Sequence, residues 1–246
     1  MSGETLAISV AAIVAGAIAS VTGFGIGSIL TPTLSLWMDG RLAVAVVSVP
    51  HLIGTAIRFW IIKGQVDRRV MWRFGLASAA GGLAGALFQS AITGSLLMIV
   101  LAVLLLFVSA SELTGLARRM RFTGVTAWIA GVLSGLLGGL VGNQGGIRSA
   151  ALLGFSLPRD VFVATATAIA LFVDGARMPV YAITAREELW AMRGPMVIAT
   201  IGVVAGTLVG MRVLRTIPET MFRTIVAIVL AILGVALLVR AMGMIR

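Results

Sequence analysis

Two glycine-rich interruptions break otherwise continuous apolar sequence. The first reads Val21-Thr22-Gly23-Phe24-Gly25-Ile26-Gly27-Ser28. The second reads Gly138-Gly139-Leu140-Val141-Gly142-Asn143-Gln144-Gly145-Gly146. In hydrocarbon an unpaired backbone group is costly, so non-helical backbone survives there only if it is buried in protein or lines a polar cavity. A break in each half of a membrane chain is the pattern of a transporter built from two repeats, with its site at the broken helices.

Composition supports the membrane setting. Of 246 residues, 59% are hydrophobic and only 11% charged, where a soluble domain carries about 25% charged residues. The apolar runs are long, which fits helices and not the roughly ten-residue alternation of a membrane barrel. Net charge is +10. The basic residues sit mainly in short connections, so they read as a topology signal and as contact with anionic lipid, not with nucleic acid. The chain has no Cys and a single His. Disulfides, thiol chemistry and a His-based metal cluster are therefore excluded, and neither cofactor nor metal is expected. Ala17-Ile18-Ala19 imitates a signal-peptidase site, but Met1 to Thr5 holds Glu4 and no Lys or Arg, so this segment reads as structure.

The apolar units run Leu6–Met38 (broken), Leu42–Ile62, Val70–Ala91, Ser95–Ser111, Val125–Phe155 (broken), Val161–Ile183, Trp190–Met211 and Met221–Met242. Most approach the ~20 residues that span a bilayer. Trp37, Trp60, Trp72, Trp128 and Trp190 all lie near unit ends, as an interfacial belt requires. The halves align by eye: Gly16 with Gly131, Gly23 with Gly138, Arg58 with Arg177 after a short insertion, and Ala84-Gly85 with Ala205-Gly206. The expected fold is an all-α polytopic membrane protein of two duplicated, inverted repeats, residues 1–121 and 122–246. Each repeat holds a broken or re-entrant unit and three transmembrane helices. Gly81/Gly85 and Gly202/Gly206 form small-xxx-small pairs that let helices approach closely. The distribution of Lys and Arg does not choose between a crossing and a folded-back broken unit. Length does lean toward folding back, because Ile26 to Met38 makes only about 20 Å of helix. That topology puts Lys63–Arg73 and Leu113–Arg121 in the cytoplasm.

The breaks and their neighbours supply the candidate chemistry. Gly23, Gly25 and Gly27 permit unusual turns. Ser28 can cap the half-helix that follows, near whose start Pro32 is tolerated, and Asn143 or Gln144 can do the same in the second half. A half-helix start presents N–H groups and partial positive charge to an anion. Arg148 follows the second break directly, beside Gly145 and Gly146. Candidate substrate contacts are thus Thr22, Gly25, Gly27, Ser28, Asn143, Gln144, Gly145, Gly146 and Arg148. His51, Arg58, Asp174 and Arg177 are the remaining ionisable residues in the apolar units, and are candidates for gating or proton coupling. For Arg58 and Arg177 snorkelling to the interface is the alternative. Asp174 and Arg177, three residues apart on one helix face, are placed to pair. Three Arg against one Asp leave the interior electropositive, which suits an oxyanion and not a cation. Catalytic readings find little support. Gly23-Phe24-Gly25-Ile26-Gly27 follows no strand, and only one Asp lies well inside a membrane unit.

At these residues the chain resembles the sulfite exporter TauE/SafE family of membrane anion transporters. The resemblance rests on Gly16-Ala17-Ile18-Ala19-Ser20-Val21-Thr22-Gly23-Phe24-Gly25-Ile26-Gly27 followed by Pro32. It rests also on Gly64-Gln65-Val66-Asp67, and on Gly135-Leu136-Leu137-Gly138-Gly139 with Asn143-Gln144-Gly145-Gly146. It covers nearly the full length. The commoner family pattern is a glycine triplet followed by Pro in both halves. Here the first break alternates its glycines and the second reads Asn-Gln-Gly-Gly-Ile-Arg, a departure that bears on substrate more than on fold. The resemblance implies export of sulfite or an organosulfonate across the cytoplasmic membrane. The partners it implies are a small anion and the lipid bilayer; proton coupling and homo-oligomerisation stay open. The rival functions are a passive anion channel and a membrane enzyme or assembly factor. Single cysteines at Thr5 and Asp39, labelled with an impermeant thiol reagent, should react from the same side of the membrane. Reaction from opposite sides would exclude the folded-back unit.

Overall fold

The computed structural model describes residues 3–116, 122, 124–213 and 219–245. Among them the structure is helical, without strands. The first broken unit becomes α1 (Gly3–Thr22) and the short α2 (Ile26–Leu34). Then come α3 (Gly40–Ile62), α4 (Arg68–Gln89) and α5 (Gly94–Leu113). The second broken unit becomes α6 (Val125–Val141) and α7 (Gly145–Leu153), followed by α8 (Arg159–Thr184), a short α9 (Arg186–Ala191), α10 (Arg193–Val213) and α11 (Glu219–Ile245). Six of these, α1, α3, α5, α8, α10 and α11, are long and apolar enough to cross a membrane. The first turn of α4 is basic, with Arg68 and Arg69, and α6 is a shorter apolar helix of 17 residues.

Helix starts follow local chemistry. Asp39, Asp67 and Thr93 occupy N-cap positions of α3, α4 and α5, and their side chains accept from the N–H groups of Arg41, Val70 and Leu96. The half-helices differ from expectation. Gly25 and Gln144 hold the N-cap positions of α2 and α7, and neither start is closed by a side chain. Ser28 lies inside α2 and bonds across to the other break instead. Pro32 falls in the second turn of α2, not near its start. A nine-residue helix tolerates this because it has few intrahelical bonds to lose.

Packing joins the first half to the second. α1 lies parallel to α10: Gly202 faces Ala12, Gly206 faces Ile13, and Gly210 faces Ala17. α4 lies parallel to α6 in the same manner, with Gly81 on the Val132 carbonyl, Gly85 on Leu136, Gly135 on Ser78 and Gly139 on Gly82. At each of these glycines a Cβ would crowd the neighbouring helix, and in the α4/α6 pair it would overlap a carbonyl oxygen; the backbones touch because no side chain intervenes. Ser78 adds a 3.0 Å hydrogen bond to the Gly131 carbonyl. By contrast α3 and α8 run antiparallel, with contacts from His51 to Asp174 and from Arg58 to Thr167. So do α5 and α11, through Ser109 to the Ala227 carbonyl and Glu112 to Arg223. All nine residues of α2 are buried among these helices.

Corresponding boundaries fall at one constant offset: Thr22 with Val141, Ile26 with Gly145, Leu34 with Leu153, Gly40 with Arg159. Arg58 and Arg177 share that offset, so no insertion separates them. The glycine pairing shifts accordingly. At that offset Gly23 falls on Gly142 and not on Gly138, and both leave their helix with positive φ, 78° and 71°. Gly16 likewise falls on Gly135 and not on Gly131. All five Trp are exposed, as a lipid-facing belt should be. Lys63 Nζ stands 3.3 Å over the Trp60 ring.

Replacing Gly81 or Gly135 with Leu should wedge α4 from α6 and lower stability by about 1–3 kcal/mol. Gly64, with open space around it, should accept the same change within about 0.5 kcal/mol. Thermal unfolding in detergent measures both.

Candidate functional site

Ending a helix inside the protein leaves its last carbonyls without intrahelical donors. At the end of α1 the Gly23 N–H bonds Ala19 O at 3.0 Å. The Thr22 hydroxyl lies 3.0 Å from Ile18 O and 2.5 Å from Phe24 O. The largest contribution comes from Arg58 on α3. Its Nη1 donates to Ala19 O at 2.6 Å, its Nη2 to Gly23 O at 3.4 Å, and its Nε to the Thr167 hydroxyl at 2.9 Å. The end of α6 is treated alike. Arg177 Nη1 donates to Gly138 O at 2.7 Å, Tyr181 Oη to Gly139 O, and Gln89 Nε2 to Leu140 O at 3.1 Å. A guanidinium at a helix C-terminus also meets the negative end of the helix dipole. Arg58 and Arg177 are 2% and 1% exposed, so neither snorkels.

Arg177 pairs with Asp174 as its spacing suggests, Nη2 to Oδ1 at 2.7 Å. The other carboxylate oxygen faces His51 Nδ1 at 2.7 Å. Asp174 thereby ties α3 to α8 across the centre of the molecule.

The two breaks meet beside this cluster. A side chain at Gly27 would overlap the Gly142 carbonyl, and Ser28 Oγ donates to Asn143 Oδ1 at 3.0 Å. Ser134 Oγ holds the Gln144 carbonyl at 3.0 Å. Arg148, on the first turn of α7, reaches across to the first break and donates Nη2 to Gly23 O at 3.1 Å. Its remaining donors, Nε and Nη1, are buried without a protein partner, as are both amide atoms of Gln144. Arg148 itself is 1% exposed. A buried guanidinium with two unpaired donor nitrogens is costly unless an acceptor completes it. Chemically, the arrangement offers a fork and an amide to an oxyanion.

A cavity of about 260 Å³ approaches this centre from one side. Thr22 and Phe24 of the first break and Gly146 and Ser149 of α7 form its inner end. Arg159 and the Glu112–Arg223 pair lie on its wall. That pair is bidentate, Nε to Oε2 at 2.8 Å and Nη2 to Oε1 at 2.9 Å. Of the sequence candidates, Thr22 and Gly146 thus touch the cavity. Ser28, Asn143, Gln144, Gly145 and Arg148 stand off its lining, and Gly25 packs on Ile18 of α1. Sequence reasoning passed over Phe24, Gln89, Ser134, Thr167 and Tyr181. Only Tyr181 had a readable signal: it is the sole Tyr, one turn beyond Arg177 on an apolar helix.

A family model described as sulfite exporter TauE/SafE matches residues 8–237. The chain belongs to the sulfite exporter TauE/SafE family. It is accordingly a multi-pass membrane protein of an anion-transporter family. No curated protein and no solved structure matches it.

The two caps should be separable by mutation. Arg58→Ala orphans buried carbonyls and should cost about 1–3 kcal/mol. Arg177→Ala also strands the Asp174 charge and should cost more, about 3–5 kcal/mol. Unfolding midpoints in detergent compare them; equal losses would mean that Asp174 does not depend on Arg177.

Proposed function

We propose that this protein exports a small sulfur-containing anion, sulfite or an organosulfonate, by alternating access across the cytoplasmic membrane. The observation that carries this reading is Arg148: a fully buried guanidinium at the start of a half-helix, with two donors unclaimed by protein and the unpaired Gln144 amide close by in sequence. Nε and Nη1 of Arg148 with the Gln144 amide form the anion clamp. Ser28 and Asn143 join the two breaks behind it, and Gly25, Gly27, Gly145 and Gly146 keep side chains out of the way. Arg58 and Arg177 hold the ends of α1 and α6 in place, and any gating by them works through those caps. The His51–Asp174 pair, shared by α3 and α8, is the candidate for proton coupling.

The architecture is read as two inverted repeats, residues 1–121 and 122–246. Corresponding helices α3 and α8 are antiparallel, and so are α5 and α11, as a two-fold axis in the membrane plane requires. Parallel packing of α1 on α10 and of α4 on α6 agrees with that axis. With these directions each broken unit folds back, each half crosses three times, and the cavity beside Arg159 faces the cytoplasm. A transporter that loads from the cytoplasm and releases outside fits this polarity.

Purified protein in liposomes should take up labelled sulfite with saturation, which a passive channel would not show at low concentration. Arg148→Ala should weaken uptake about 10- to 100-fold, the worth of a charged hydrogen bond of about 1.5–3 kcal/mol. Normal transport by that variant would refute the site.

A further inference from the structure

The cavity stops short of the donors it would have to serve. Phe24 and Thr22 on one side, and Gly146 and Ser149 on the other, close its inner end. Arg148 lies between Gly146 and Ser149 and the first break in space, yet contributes nothing to the lining. What stands in the way is Phe24. Its side chain occupies the place of a missing one at Gly145: a Cβ there would sit 2.6 Å from the Phe24 Cγ and 2.7 Å from its Cδ2. The preceding carbonyl, Gly23 O, faces Arg148 at 3.1 Å. The ring therefore faces the cavity while its own backbone neighbour is held by the buried guanidinium.

Phe24 is also mounted to move. It belongs to no helix. Glycines with positive φ flank it, Gly23 at 78° and Gly25 at 135°, so both adjoining backbones occupy conformations that favour glycine. Its N–H and its carbonyl both bond the Thr22 hydroxyl, at 3.2 and 2.5 Å. The ring can leave Gly145 by rotation about these points without breaking a helical hydrogen bond.

We infer that Phe24 is the barrier between the cavity and the Arg148 donors, seated on Gly145, and that its displacement admits the anion. This rests on the reading of Arg148 as the anion clamp. The aromatic ring keeps water from the half-paired guanidinium while the site is empty. An anion entering past Arg159 meets the ring before it meets Arg148. The second break carries Asn143 at the position corresponding to Phe24, tied to Ser28 by a hydrogen bond, so the barrier exists on one side only.

The absence of native Cys makes the test direct. Leu153→Cys, on the cavity wall and partly exposed, and Ser28→Cys, behind the ring, are each treated with sulfonatoethyl methanethiosulfonate. Leu153→Cys should react at a rate indifferent to Phe24. Ser28→Cys should react slowly, and about tenfold faster or more once Phe24→Ala or Gly145→Ala removes or dislodges the ring. Phe24→Leu provides a milder version should the alanine variants fold poorly, and Leu153→Cys labelling reports that the fold is intact. A Ser28→Cys rate that ignores all three changes overturns the barrier. An unreactive Leu153→Cys overturns the cavity as the route. Accessibility is read without transport. Faster labelling alongside normal transport by Arg148→Ala would keep the barrier and discard the clamp, and the opposite pair of results would do the reverse.

Discussion

Two helices stop in the middle of an apolar molecule, and their last carbonyls must find donors. Everything near the centre follows from that demand. Long side chains from neighbouring helices supply them: Arg58 for α1, and Arg177, Tyr181 and Gln89 for α6. The guanidinium is the fitting group, because one planar fork reaches two acceptors and stays charged at the negative helix end. Once two guanidinium groups are buried, a carboxylate is needed to limit the charge, and Asp174 lies beside only one of them. The surplus positive charge of the centre is thus a consequence of breaking helices.

The breaks are alike in backbone and unlike in side chains. Both leave their helix through a left-handed glycine and start the next helix without a side-chain cap. The first then presents an aromatic ring and a serine. The second presents an asparagine, a glutamine and an arginine. Only the second half-helix carries its own charge, and that charge reaches back to the first break at Gly23. The buried polar cluster therefore draws on both breaks, although most of its polar atoms come from the second.

Much of this was legible from the residue order. The interruptions, the apolar units around them and the buried Arg58, Arg148, Asp174 and Arg177 all stand out, because polarity within apolar sequence is conspicuous. The Asp174–Arg177 pair followed from helical spacing. The register of the repeat did not. Glycines are so frequent here that Gly131 and Gly138 match Gly16 and Gly23 in sequence as well as Gly135 and Gly142 do, and only backbone dihedrals and helix ends favour the latter pair. Ser28 was misplaced for a related reason. A serine after a glycine run looks like a cap, but the helix begins before it, at Ile26. The role of Gln89 and Thr167 was invisible, since each meets a partner brought near by tertiary packing alone, the Leu140 carbonyl for Gln89 and the Arg58 guanidinium for Thr167. Phe24 read as one more apolar residue, and only the bare face of Gly145 gives it a place.

The glycine contacts between α1 and α10 carry a consequence for biosynthesis. α1 is made long before α10, so the face bearing Gly16 meets its partner only when Val203 and Thr207 have been made. Until then that small-residue face rests against lipid or other helices, and the carbonyls at its far end await Arg58. α4 waits less, since α6 follows it closely. The later-made α10 therefore locks α1 into place. Assembly in the membrane must end with a long-range closure, the slow kind of step that non-local contacts impose on folding. Earlier and later helices do not mature as separate modules: α1 is completed by α10, and α4 by α6.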